Sequence, residues 1–411
     1  MPKELNPDNL ASGIKEEKLK KIGALCVQEY DRDVESRTDY DKRRAGWLKL
    51  FAGKRDPKGF PWKDASNTHI PLLAEAALQF QARSMEALIP PKEIVKGYAT
   101  DGASVDSAQR VAKHMNWQLL YQMDEWEEGM DACLLLLPLM GSAYKKTYWD
   151  PVQKRVASIL LSPDEFVTPY RCKRIEDAPR KTQVLWMHLN DIRKREKDGI
   201  FINVDPNWEG TELTTASPMP EYQQVTDHTQ GQEEPLNDSS NRRVILEQHC
   251  LLDINYDPVS NKFLKEDGIQ RPYVVWIDKE TEAVLRVTSR LYWDDELQEL
   301  ETFEYFTHYG FIPNPDSHYS FGFGHLVDHI NETADTLLNQ IIDAGTLSNV
   351  RGGFVNQRSG LKKGAIEFEL GKYVPVDVNG DDVRKALYEF NFAPPSSVLF
   401  TLLDMLRGYV K

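Results

Sequence analysis

His325 and His329 stand four residues apart in a stretch with helical spacing. At that separation two imidazoles share one helix face and could hold a metal ion. The glutamate that a zinc-protease helix carries between its histidines is missing, so surface or interface use suits this pair better. Gly322, Phe323 and Gly324 lead into the same helix as a phosphate-binding loop would. The third glycine of a dinucleotide loop and the Gly-Lys-Ser/Thr of a triphosphate loop are both absent, so a flexible helix entry is the better account. Acidic pairs occur at Asp294–Asp295 and Asp381–Asp382, and across Asp124, Glu125, Glu127 and Glu128. Acid–base or metal chemistry needs histidines or further carboxylates converging on such groups, and no spacing here brings them together. There is no Gly-x-Ser-x-Gly, and Cys26, Cys133, Cys172 and Cys250 are scattered. Scattered cysteines suit reduced thiols in a cytoplasm. The reading is a non-enzyme with no catalytic, cofactor-binding or metal residue.

The helix that follows Gly324 is the most informative element. Leu326, Ile330, Ala334, Leu337, Ile341 and Gly345 recur at spacings of three and four, which predicts one packing face. Asp328, Asn331, Glu332 and Asp335 are expected on the other side, toward water or a polyanion. The helix ends at Arg351, Gly352 and Gly353. A long helix with one apolar stripe suits a wall in an assembly.

Upstream, residues 14–51 read as one charged helix, solvated and laced with ion pairs. Ser66, Asn67 and Thr68 are expected to cap a helix from Leu72 to Leu88, with Pro71 in its first turn. Two more helices are expected over 105–121 and 126–140, the second ending in the buried apolar run Leu134–Met140 and stopped by Gly141. That run is far too short to cross a bilayer. The N-terminal MPKELNPDNL is too polar for a signal peptide.

Strands are predicted at 143–149, 156–161 and 165–168, then a short polar helix over 189–197. Residues 214–241 form the clearest linker, too poor in apolar residues to pay for ordering, and are expected to be mobile. Strands return at 244–254 and over 273–287, where Lys279, Glu280 and Thr281 mark a hairpin. After the long helix come strands near 353–356, 366–369 and 373–376 and a short helix over 381–390. Pro394 and Pro395 then open a helix that runs into Lys411 with no stop signal, as if it continued.

Charge bounds the partners. The chain has 411 residues and a formal net charge of −14, which argues against a tight grip on nucleic acid by the whole surface. It leaves room for a smooth acidic wall past which DNA slides. The most local basic patch beyond the N-terminal helices is Arg351, Arg358, Lys362, Lys363 and Lys372. It reads as a solvated loop or as contact with phosphate or an acidic partner.

Taken in order, the segments WKDASNTHIPLLAEAALQFQARSMEALIPP, GSAYKKTYWDPVQKRVASILLSPDEFVTPY, FGFGHLVDHINETADTLLNQIIDAG and SSVLFTLLDMLRGYVK resemble the portal, or head–tail connector, proteins of tailed bacteriophages, most like those of podovirus type. The resemblance covers most of the chain. It implies an α+β portal-type fold: a helical part of the wing over 1–141, a β-rich wing over 142–322, a stem helix over 323–350, a small α/β clip over 351–394 and a second stem helix over 395–411. The family continues into a tunnel loop, more wing and a crown, which this sequence does not contain.

The resemblance further implies a dodecameric ring at one capsid vertex. The ring would conduct double-stranded DNA, dock the large terminase subunit and then a head-completion or tail adaptor, and meet major capsid and scaffolding proteins. It places the protein in the virion, at the head–tail junction, after assembly in the host cytoplasm, with no membrane partner. Leu326, Ile330, Leu337, Ile341, Leu402 and Leu406 are the expected ring interface. Arg351, Arg358, Lys362, Lys363 and Lys372 are the expected clip contacts. Another capsid or tail adaptor, or a metal-dependent nucleic-acid-processing enzyme, is the alternative; the first would lack the helix–clip–helix order and the second would need a carboxylate or histidine constellation.

Overall fold

The computed structural model describes residues 9–53, 55, 58, 62, 65–90, 93–100, 104–150, 153–205, 242–265, 267–294, 298–349, 353–356, 373–376, 387–389 and 393–410. The fold mixes helix and sheet, as the α+β reading expects. The chain divides into two compact units, Met1–Ala52 with Ala77–His325, and Gly53–Ala76 with Leu326–Lys411.

Helices dominate the first part of the chain. They are α1 (Glu16–Ser36), α2 (Thr38–Phe51), α3 (Leu72–Leu88), α4 (Val105–Trp117) and α5 (Asp124–Met140). The expected single helix over 14–51 is thus two, joined at Arg37, whose φ of −108° and ψ of 8° break the helical run. The helix expected over 105–121 ends at Trp117, and a π-helical turn follows at Gln118–Gln122. Gly141 closes α5 at φ 89°, a conformation that disfavours other residues. A Cβ there would lie 2.0 Å from the Ser320 carbonyl oxygen.

The strands follow. β1 (Ser142–Asp150), β2 (Arg155–Leu161), β3 (Phe166–Val167) and β4 (Arg180–His188) lead to α6 (Leu189–Lys197). Then come β5 (Arg242–Leu252), β6 (Tyr256–Asp257), β7 (Lys262–Phe263), β8 (Arg271–Asp278), β9 (Val284–Ser289), β10 (Leu291–Asp294), β11 (Glu299–Thr302) and β12 (Phe306–Gly310). An antiparallel five-stranded sheet has the order β3-β4-β5-β8-β9, and a three-stranded one β12-β1-β2. The strand Arg180–His188 was not expected. It runs polar–apolar without a clear period and gains its place by pairing along its whole length with β5.

One face of the five-stranded sheet is covered by α1. Leu19, Ile22, Cys26, Val27 and Tyr30 share a core with Val244, Leu246, Val275 and Ile277. The approach is close, because a Cβ on Gly23 would stand 2.0 Å from the Glu282 carbonyl oxygen. The opposite face buries Ile245 and Leu285 with Ile192 of α6 and Phe201. Both faces of β5 are buried over Arg243–Cys250, so Glu247, Gln248 and His249 lie inside with its apolar residues.

The second unit holds most of α7 (Phe323–Asn349), then β13 (Gly353–Asn356), β14 (Tyr373–Val376), β15 (Leu387–Glu389) and α8 (Ser397–Val410). The small sheet has the order β14-β13-β15, with β13 parallel to β14 and antiparallel to β15. The expected helix over 381–390 is corrected here: residues 387–389 form a strand, because the edge of β13 supplies backbone partners that an isolated short helix lacks. The strand expected at 366–369 and the linker at 214–241 lie outside the described residues.

Candidate assembly surfaces

The second unit is organised by one buried polar stripe. Asn331, Asp335, Asn339 and Asp343 recur every four residues along α7 and are all buried. This corrects the expectation that Asn331 and Asp335 face water. The extended segment Ala65–Ile70 and the start of α3 lie against this stripe. The amides of Ser66, Thr68 and Ile70 each donate to a side-chain oxygen at 2.7 Å: Asp343 Oδ1, Asn339 Oδ1 and Asp335 Oδ1 in turn. The Leu73 amide reaches Asn331 Oδ1 at 3.2 Å. Asn339 Nδ2 returns a bond to the Thr68 carbonyl at 3.1 Å.

The spacing explains the fit. Four helical residues advance about 6 Å. Two extended residues advance about 6.6 Å. Every second amide of the segment therefore meets the next acceptor on the helix, as if α7 were a neighbouring strand. Asp335 is the most loaded member. It also pairs with Arg55, lies 2.8 Å from His69 Nδ1 and accepts from Asn331 Nδ2 at 3.1 Å. Ser66 and Thr68 are thus part of a strap on α7, not caps of α3. The sequence carries a sign of this, since small polar residues recur at every fourth position from Asn331 to Asp343.

The apolar positions of α7 divide differently from the expected stripe. Ala334, Leu337 and Ile341 are buried within the chain, so Leu337 and Ile341 offer no free interface as the chain stands. Ile330 is half-buried and Leu326 is exposed. The reason is the polar ladder, which rotates the buried side of the helix toward Asn331 and Asp335.

α8 is different. Val398, Leu402, Met405 and Tyr409 fall at successive steps of four, three and four, and all are exposed, from 39% at Leu402 to 73% at Tyr409. Phe400 is exposed as well, and Leu399, Leu403 and Leu406 are only half-buried. A helix this apolar and this uncovered is the strongest unpartnered surface among the described residues of the second unit. Arg351, Arg358, Lys362, Lys363 and Lys372 lie outside the described residues.

In the first unit several buried charges pair with one another across the sheets. Lys146 on β1 donates to Glu247 Oε1 and Oε2 at 2.7 and 2.6 Å and to Gln183 Oε1 at 2.8 Å, tying the three-stranded sheet to the five-stranded one. His249 Nε2 lies 2.9 Å from Glu247 Oε1. Burial alone would raise the Glu247 carboxyl, but the Lys146 ammonium and His249 override it and hold it at about 2. Burial pushes His249 down to about 4 against the pull of Glu247.

Around the junction of α1 and α2, Asp33, Arg37 and Arg44 are buried, where a solvated helix was expected. Arg180 clasps Asp33 with two bonds of 2.7 Å, Arg37 Nη1 donates to the Phe166 carbonyl at 2.6 Å, and Arg44 pairs with Asp164. These distant partners drew the charges inward.

The histidines do not form a site. His325 packs on the Trp47 ring at 4.2 Å and accepts from the Gly322 amide at 3.1 Å, and burial lowers it to about 4. His329 is exposed. Among the described residues no group of three or more His, Cys, Asp or Glu is placed to hold a metal ion. No helix among them is long and apolar enough to cross a membrane. The chain matches no protein-family model and no curated protein.

Proposed function

We propose that this chain is the subunit of a portal, a ring-shaped channel at one capsid vertex through which double-stranded DNA is packaged, retained and ejected. The observation that carries the reading is the order of the second unit: a 27-residue helix, a small three-stranded sheet, then a 14-residue helix whose apolar residues are exposed. Two helices flanking a small sheet suit a stem and a clip, and an uncovered apolar helix calls for neighbours. Copies related by rotation would supply them and close into a ring. The four sequence segments that resemble podovirus-type portals add to this in the same order.

On this reading the wing is the sheet-rich first unit. DNA movement is driven by a separate ATPase, the large terminase, which docks on the clip before the tail adaptor does. Lys362 and Lys363 are assigned to the clip tip, as salt-sensitive contacts with an acidic partner or with phosphate. The decisive experiment is negative-stain imaging with mass photometry of the purified chain. Rings with a central hole are the expected result. A chain that stays monomeric under every condition, partner proteins included, removes the reading.

A further inference from the structure

Two exposed patches of the first unit carry rings and opposite charge. The first surrounds α4. Trp117 and Tyr121 are exposed at 48% and 74%, beside Val111 and Met115. The His114 ring stacks on Trp117 at 5.7 Å. Asn116 anchors the neighbouring extended segment, accepting from the amides of Ile94 and Val95 at 2.8 and 2.9 Å. That segment carries exposed Lys96 and Tyr98. Lys96, Arg110 and Lys113 have no described carboxylate within ion-pair reach and outnumber exposed Glu93 and Asp106 on the same segment and helix, so the patch is cationic as well as aromatic.

The second patch is the hairpin β10–β11, which pairs with no other strand among the described residues. Trp293 and Leu300 are cross-strand partners, both exposed, at 42% and 45%. Tyr292 and Phe303 are exposed on the opposite face, which they share with Glu299 and Glu301. Asp294 stands directly opposite Glu299. Glu301 accepts from the Tyr292 hydroxyl at 3.2 Å. Glu299 and Glu301 have no cationic partner among the described residues. A two-stranded ribbon that exposes rings and carboxylates together on one face is marginal alone.

We infer that the β10–β11 hairpin of one copy docks on the α4 patch of a second copy. Each patch offers aromatic surface that the other would cover, and the acidic face of the hairpin meets a surface where cations and exposed rings coincide. The contact joins two different patches of the same chain, so it is heterologous and propagates around a ring. It rests on the ring reading and names the wing contact within it.

The test is charge reversal with rescue, read by sedimentation velocity at low and high salt. Glu299→Lys with Glu301→Lys, and separately Arg110→Glu with Lys113→Glu, should each reduce the assembled fraction about tenfold at low salt. All four changes together should restore it to within about threefold of the parent chain. Circular dichroism on each variant separates lost docking from lost folding. Rings that survive both reversals, or a fourfold variant that folds and does not recover, overturn this contact and leave the ring reading standing. A parent chain that never assembles overturns both.

Discussion

Asn339 reads both backbone groups of Thr68: its Oδ1 accepts from the Thr68 amide at 2.7 Å and its Nδ2 donates to the Thr68 carbonyl at 3.1 Å. A carboxamide side chain here does what a strand neighbour does in a sheet. It is the only member of the α7 stripe that returns a bond to the strap backbone among the described residues.

Replacing Asn339 with Ala should therefore leave two backbone groups unpaired and destabilise the second unit by about 1–3 kcal/mol. Asn339→Asp keeps the acceptor and loses the donor, so its loss should be smaller. Hydrogen exchange at the Thr68 amide reads the effect directly. Unchanged protection in the Ala variant would mean that the strap is held by its other anchors alone.

Acid should loosen the first unit before it touches Glu247. Burial holds His249 and His318 near 4, below the ordinary histidine value of about 6.5. The unfolded chain therefore binds protons more readily than the folded one between those values. The stability these neutral rings provide is fully present above pH 6.5 and is lost as pH falls toward 4, by about 2–3 kcal/mol for each histidine. Glu247, depressed to about 2, adds a further loss only below the ordinary carboxylate range. Urea unfolding from pH 7.5 to 4 should show the midpoint falling through this window, with a shallower slope in His318→Asn.

Gly23 lets α1 approach the turn between β8 and β9. A methyl group there must displace the Glu282 backbone, which already sits at φ 57°. Gly23→Ala should cost about 1–3 kcal/mol, visible as a lower thermal midpoint. Ala at Gly46, whose Cβ direction is open, should cost far less and serves as the control.

Assembly should respond to α8 without loss of fold. Leu402→Asp with Met405→Asp changes two exposed positions, so stability should move by no more than about 0.5 kcal/mol per site. Mass photometry should show monomers in place of rings. The same change at Leu337 and Ile341 is a poor probe, because both are buried within the chain and charge there would unfold it.

Local pattern sufficed for much of the fold. The helices Leu72–Leu88, Leu189–Lys197 and Phe323–Asn349 begin and end where the periodicity and the breakers place them, and the turn at Lys279–Thr281 sits between β8 and β9. Those elements are specified by neighbours in the chain: helical spacing, a proline or glycine stop, a polar turn. Burial of polar residues was not legible in this way. Asn331 and Asp335 look like a solvated face until a segment more than 250 residues away presents its amides to them. Lys146 and Glu247 are buried because two sheets stack and make each the other's partner. A polar side chain goes inside only when its partner arrives there too, and that partner is chosen by tertiary structure, not by the spacing of residues along the chain.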